Sequence, residues 1–226
     1  MKIDVFSLQK LSLFAGITPQ ELEKMSGCLS ARERKYERGT FVFQAGDEVR
    51  YVYCILSGNL HIINEDFWGT LSIIETLRRN TMFGEAYVFA GREEQLVSVM
   101  AAEDAVLLEI DPKTLFEACP KACACHTQLN RNALRIVSEK IVRLTEKVTH
   151  IMRRNTREKL LSYLSQCAQR AGGSVFDIPY SRQQLADYLC VDRSALSHEM
   201  SKLQAQGMIR YRKNHFELLV PHDEIV

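Results

Sequence analysis

Six apolar residues, Leu134, Val137, Ile141, Leu144, Val148 and Ile151, recur at spacings of 3, 4, 3, 4 and 3. This is the a/d rhythm of a coiled-coil seam, and it constrains the chain strongly, because so narrow a stripe needs another helix to cover it. A helix laid on its own domain shows a wider apolar face, and that intradomain packing is the competing reading. The flanking Arg135, Lys140, Arg143 and Lys147 suit a seam bordered by solvated charge. The spacing therefore predicts helix-to-helix dimerisation with a second copy.

Upstream of the seam the period is different. From about Arg34 to Ile110 short apolar runs succeed one another: FVFQAG (41–46), YVYCILSG (51–58), LHII (60–63), LSIIETL (71–77) and LVSVMAAEDAVLLEI (96–110). Gly46, Gly58, Gly69 and Gly84 punctuate them, as the turns of an all-β barrel or sandwich require. Before them, Thr18-Pro19-Gln20-Glu21 is a helix start, with a hydroxyl cap, proline in the first turn and glutamate three residues after the cap. At 226 residues the chain has room for more than one core.

Downstream, residues 153–173 read as a helix closed by a glycine pair, with a domain boundary near Ile151–Asn155. Then comes SRQQLADYLCVDRSALSHEMSKLQAQGMI (181–209), two short helices with a tight corner. Leu185 and Leu189 face inward in the first, and Ala186 is small enough for a close helix crossing. Asp192 is placed to cap the second with its carboxylate. On a helical wheel Leu196, Met200 and Leu203 form the buried edge, while Ser194, Ser197, His198 and Ser201 lie opposite, with Arg193 at the tip.

A solvated face would carry more Glu and Lys. Small hydroxyls, one imidazole and one guanidinium fit a groove filler, with Arg193 matched to the O6/N7 pair of guanine. RYRKNHFELL (210–219) reads as a β-hairpin turning near Asn214, which puts Arg210, Arg212 and Lys213 on a wing beside the sugar-phosphate backbone. From residue 151 on, eleven Lys/Arg face eight Asp/Glu, a tilt that permits such a partner without establishing it. No nucleophile–base pair, metal-ligand motif or phosphate loop has the spacing an enzyme would need.

Taken together, β-roll, long helix and winged helix-turn-helix resemble the Crp/Fnr family of bacterial transcription regulators, from about Phe14 to Leu219. The anchors are LSG (56–58), FGEA (83–86), LTEKV (144–148) and SRQQLADYL…RSALS. The fold class expected is α+β: an antiparallel cyclic-nucleotide-binding-like jelly roll over 1–120 that senses an effector, a dimerisation helix over 121–152, and a winged helix-turn-helix over 153–226. The resemblance implies that Arg182, after Ser181, holds a DNA phosphate. It also implies a homodimer on an inverted-repeat duplex, with RNA polymerase as a partner and a small-molecule effector in the roll. The head departs from the best-known readers, which carry glutamate and arginine where this chain has Ser194 and His198, so a different half-site is expected. Cys190 also replaces the glycine usual at the turn.

The same resemblance places the effector pocket at Phe83, Gly84, Glu85, Gln95 and Leu96, with Leu144 and Thr145 from the dimer helix. Where relatives that bind cyclic nucleotides close the phosphate cassette with Arg-Ser or Arg-Thr, this chain has Gln95-Leu96. A phosphate there forfeits charge-assisted hydrogen bonds of about 1.5–3 kcal/mol each. Cyclic AMP is therefore not the expected effector, whose identity stays open; Arg92 is the one substitute cation nearby.

The alternative control is redox, metal or haem chemistry on the same scaffold at Cys119, Cys123, Cys125 and His126, in CPKACACH, with the pocket vestigial. That spacing is neither a zinc ribbon nor an iron–sulfur run, and buried thiols packing as hydrophobes are the plainer reading, so no metal site is assigned. His61 is read as structural. An odd count of seven cysteines, no secretory leader and no long apolar run predict a cytoplasmic protein without a membrane span.

Overall fold

The structure, a computed structural model, describes residues 4–25, 28–92, 95–116 and 124–219. The chain divides into two compact units, Met1–Ser138 and Glu139–Val226. Among the described residues no helix is long and apolar enough to cross a membrane.

The first unit opens with helices α1 (Val5–Leu8) and α2 (Pro19–Met25). The cap of α2 is reciprocal, as its sequence predicts: the Thr18 amide donates to Glu21 Oε2 at 2.8 Å, and the Glu21 amide to Thr18 Oγ1 at 3.4 Å. Eight strands come next: β1 (Ala31–Tyr36), β2 (Phe41–Phe43), β3 (Val52–Ser57), β4 (Leu60–Glu65), β5 (Leu71–Leu77), β6 (Met82–Phe83), β7 (Ser98–Ala101) and β8 (Ala105–Ile110). Helix α3 (Glu85–Ala90) interrupts them, and α4 (Pro112–Phe116) closes the set. All pairings are antiparallel, in two four-stranded sheets of order β1-β8-β3-β6 and β2-β7-β4-β5.

β3 carries an unbroken apolar run instead of an alternating one because both of its faces are buried. Val52 and Cys54 enter a core shared with α1, α2 and β8, while Tyr53 and Ile55 enter the core between the sheets with Phe43, Leu60, Phe83 and Val99. Each such side chain contributes about 1.5–3 kcal/mol by leaving water. β5, at a sheet edge, is exposed from Leu71 to Thr76 and buries only Leu77. The first strand starts at Ala31, earlier than the sequence pattern indicates. Its alternate polar residues reach a buried carboxylate instead: Glu109 accepts from Arg32 Nε at 2.6 Å and Tyr36 Oη at 2.8 Å. Burial pushes the Tyr53 hydroxyl up to about 12.

Helix α5 (Ala124–Ile151) contains the division between the units. Residues 121–123, the start of the expected dimerisation helix, lie outside the described residues. Near its start Cys125, Leu129 and Ala133 enter the first core, with Ile136 and Val137 packed at its border. Asn132 Nδ2 donates to the carbonyls of Leu13 and Ala15 at 2.9 and 2.8 Å. The intradomain face thus overlaps the expected seam at Val137 and leaves its other members outside that core. Leu134, Ile141, Leu144 and Val148 keep 45–66% of their surface exposed in the single chain; Val137 and Ile151 are half-buried.

The second unit contains α6 (Thr156–Ala171), β9 (Val175–Asp177), α7 (Arg182–Leu189), α8 (Arg193–Ala205), β10 (Ile209–Arg212) and β11 (His215–Leu218). Asn155 caps α6 by accepting from the Glu158 amide at 2.9 Å, and Gly172, in the left-handed region, ends it. The wing is a three-stranded sheet of order β10-β11-β9, one strand more than the expected hairpin.

Gly58 ends β3 at φ +82°, and a Cβ there would meet the Asp104 carbonyl oxygen at 2.6 Å and Ala105 Cα at 2.7 Å. Gly58→Ala is expected to cost at least about 1–3 kcal/mol from the left-handed backbone alone. Denaturant unfolding followed by circular dichroism measures it, and an unchanged midpoint would contradict the packing described.

Candidate nucleic-acid interface

Ser181 opens α7 with a full capping box: its amide donates to Gln184 Oε1 at 2.8 Å and its hydroxyl accepts from the Gln184 amide at 3.4 Å. Leu185, Ala186 and Leu189 are fully buried, and the Val191 amide closes the corner on the Ala186 carbonyl at 3.0 Å. Cys190 takes the left-handed conformation, φ 52° and ψ 56°, with its side chain exposed. A thiol-bearing residue thus occupies the turn where glycine is usual. Asp192 has the extended backbone of a helix cap, but its carboxylate makes no capping bond, which departs from the expectation drawn from its side chain.

α8 buries Leu196, Met200 and Leu203 completely. Arg193, Ser194, His198 and Ser201 are exposed and Ser197 is half-buried. The Ser201 hydroxyl donates to the Ser197 carbonyl at 3.0 Å, so it lies flat on its own helix. On the wing, Arg210 pairs with Glu217 across the ladder at 2.6 Å and His215 with Asp177 at 3.0 Å. Arg212 and Lys213 are exposed and, like Arg193, form no ion pair among the described residues. The turn is Lys213-Asn214, with Lys213 at φ 58°, and Asn214 is tied to Ile178 in both directions: Asn214 Nδ2 donates to the Ile178 carbonyl at 3.2 Å, and the Ile178 amide to the Asn214 carbonyl at 2.9 Å. Arg182 is half-buried, its guanidinium against the Met200 sulfur and 5.0 Å from the centre of the Tyr211 ring. Pro179, Tyr180, Ser181, Arg182, Lys213 and Asn214 line a cleft of about 440 Å³.

Three features of this unit escape a reading by sequence. β9 is only three residues long, and a period of two is hard to see in so short a run. The Arg182–Tyr211 contact joins residues 29 positions apart through tertiary packing. At the end of α5, buried His150 places Nδ1 2.8 Å from Ser162 Oγ and Nε2 2.9 Å from Gln166 Oε1, with its ring edge-on to Tyr163. Burial pushes the neighbouring Tyr188 hydroxyl up to about 12.

The residues expected at the effector pocket fall in both units. In the first, Phe83 ends β6, Gly84 takes φ +83° where a Cβ would press on Tyr51 and Tyr53, and Glu85 is buried at the start of α3. Gln95 is 3% exposed, and neither atom of its amide has a hydrogen-bond partner among the described residues. Leu96 is exposed, as is Arg92. In the second unit Leu144 is exposed and the Thr145 hydroxyl donates to its own helix, at the Ile141 carbonyl, at 3.0 Å. A neutral buried amide does not fit a cyclic phosphate, which calls for a cation at that place. Cys119 and Cys123 lie outside the described residues; Cys125 is buried in the first core and His126 is buried beside it. His61 Nδ1 lies 3.1 Å from Thr76 Oγ1 on the paired strand.

Two family patterns match the chain: the cyclic nucleotide-binding domain over residues 33–121 and the Crp-like helix-turn-helix domain over residues 158–222. The chain is 21% identical over 216 residues to Electron transport regulator A of Shewanella oneidensis, covering 92% of this chain and 82% of that protein. It is 23% identical over 185 residues to the transcriptional activator protein FnrL of Cereibacter sphaeroides, covering 78% and 71%. Among solved structures, CprK complexed with OCPA shares the fold, with a TM-score of 0.63 at 14% identity, covering 88% of this chain and 89% of that one.

The strained corner yields a stability test. Cys190→Gly removes a Cβ from a left-handed residue and is expected to stabilise the protein by about 1 kcal/mol, read by thermal unfolding. Cys190→Val should act in the opposite direction, since a β-branched residue fits that conformation poorly.

Proposed function

Since this chain belongs to the Crp/Fnr family of transcription regulators, we propose that it acts as a homodimer that reads an inverted-repeat duplex under the control of a small-molecule effector. Membership makes it a transcription regulator with a DNA-binding helix-turn-helix and not an enzyme. The assignment of individual contacts rests chiefly on the outward face of α8, where Arg193, Ser194 and His198 stand exposed above a fully buried edge. Small side chains let the helix approach the base edges, and Arg193 supplies the one bidentate donor suited to guanine. Ser197 and Ser201 line the same helix, while Arg182, Arg212 and Lys213 supply phosphate contacts and the Ser181 cap orders the first turn. Two such heads enter successive major grooves about 34 Å apart.

The seam of Leu134, Val137, Ile141, Leu144, Val148 and Ile151 holds the two copies together, which accounts for the exposure of Leu134, Ile141, Leu144 and Val148 in one chain. Residues 1–120 sense the effector, 121–152 dimerise and 153–226 bind DNA, with RNA polymerase as the protein partner. The effector is not a cyclic nucleotide held in the usual way. A buried amide that finds no partner among the described residues costs about 1–3 kcal/mol, so a polar, uncharged group of the effector meeting Gln95 would recover that energy on binding. An effector acts by preferring one of two arrangements of the heads.

Arg193→Ala is expected to cost roughly 1–3 kcal/mol on the specific site and to relax preference at one base pair. Binding to a selected operator and to random duplex separates the cases, and an equal loss on both would remove Arg193 as a base reader. Leu144→Glu sets like charges against each other across the seam. Sedimentation should then give a species of the single-chain mass, 25.9 kDa, where the unaltered protein gives twice that. An unaltered protein that sediments as one chain would sink the dimer.

A further inference from the structure

The wing presents an aromatic ladder whose last rung is a cation. Ladder register pairs Tyr211 with Phe216 and Phe216 with Phe176, so the three rings share one face of the sheet. They are near-parallel: Phe176 and Phe216 lie 6.2 Å apart at 10°, Tyr211 and Phe216 5.7 Å apart at 22°. Phe216 is fully buried and fixes the stack from the centre. The guanidinium of Arg182, from the first turn of α7, lies 5.0 Å from the outer ring, that of Tyr211.

The cation stands outside the ion pairs of the described residues. Among the described residues no carboxylate pairs with Arg182, and the partners it does have are a thioether sulfur and a ring face. Partial burial, the largest influence, favours the uncharged form; Tyr211 opposes it, and the nearby Arg193 adds to it more weakly. A guanidinium stays charged regardless, so the site holds a partly dehydrated positive charge without a counter-ion. Beside it the cleft is bordered by Lys213 and Asn214, which adds a second cation. A group so arranged gains most from an anion delivered to it.

We propose that Tyr211 is a positioning residue: its ring holds the Arg182 guanidinium flat and unpaired so that a phosphodiester of duplex DNA completes it, coupling the wing to the reading head. This rests on the reading of Arg182 as a phosphate contact and names what makes that contact effective. The hydroxyl of Tyr211 is dispensable; the ring is not. Because a phosphate contact is insensitive to sequence, the effect falls on all duplexes alike.

The experiment uses the full-length protein and a duplex of arbitrary sequence, with affinity measured over a range of salt. Tyr211→Phe should bind as the unaltered protein does. Tyr211→Leu should weaken binding roughly five- to tenfold and flatten the log–log salt dependence by about 0.9 per subunit. In an Arg182→Ala background, Tyr211→Leu should add nothing. Losses that multiply in the double variant, or a Tyr211→Leu protein that binds normally, overturn the proposal. If Arg182→Ala alone changes nothing, the phosphate role of Arg182 fails, and the strut with it. Thermal unfolding checks that Tyr211→Leu is folded. Should it not be, Arg182→Lys decides, since lysine keeps the charge but has no plane to stack: a loss like that of Arg182→Ala supports the proposal, and normal binding overturns it.

Discussion

Helix α5 answers two hydrophobic demands with two faces, and the rest of the architecture depends on that. Cys125, Leu129 and Ala133 close the core under the first sheet, and the Asn132 amide bonds the loop carbonyls of Leu13 and Ala15. Leu134, Ile141, Leu144 and Val148 remain exposed. Exposed apolar side chains of this size are the kind that a partner surface covers, and the proposed seam would cover these four. A helix of 28 residues, about 42 Å long, is a costly element to leave half-covered, and its exposed row gives it a use beyond the core it closes.

In the second unit the large apolar residues stand on one side only. Leu196, Met200 and Leu203 lock α8 against α6, α7 and the wing, and this frees the opposite side from any packing duty. The residues standing there are suited to contact with something outside the chain. The same division governs the wing, where Phe176 and Phe216 anchor the sheet while Arg212 and Lys213 stay in water. Packed and solvent-facing residues thus stand on opposite faces of the same elements.

Much of this is legible in the residue pattern, and the failures have physical causes. The helix-turn-helix and helix α5 show themselves through periodicity, which is local. β9 and β6 do not, because three and two residues carry no period. The network around Glu109 joins β8 to Arg32 and Tyr36 more than 70 positions away, and only sheet pairing brings them together. Asp192 shows the opposite error: the residue type suits a cap, yet its side chain makes no capping bond. The pocket residues Gln95 and Leu96 are marked by their place in the chain, but only the structure separates a buried amide from an exposed leucine.

His150 has a mechanical meaning. Both of its ring nitrogens are engaged by α6, so the last turn of the long helix and the first helix of the head are clasped into a single body. The short link at 152–155 resembles a hinge, but the clasp denies it that freedom. The closing turn of α5 and the opening turns of α6 thus behave as one packed block of the second unit.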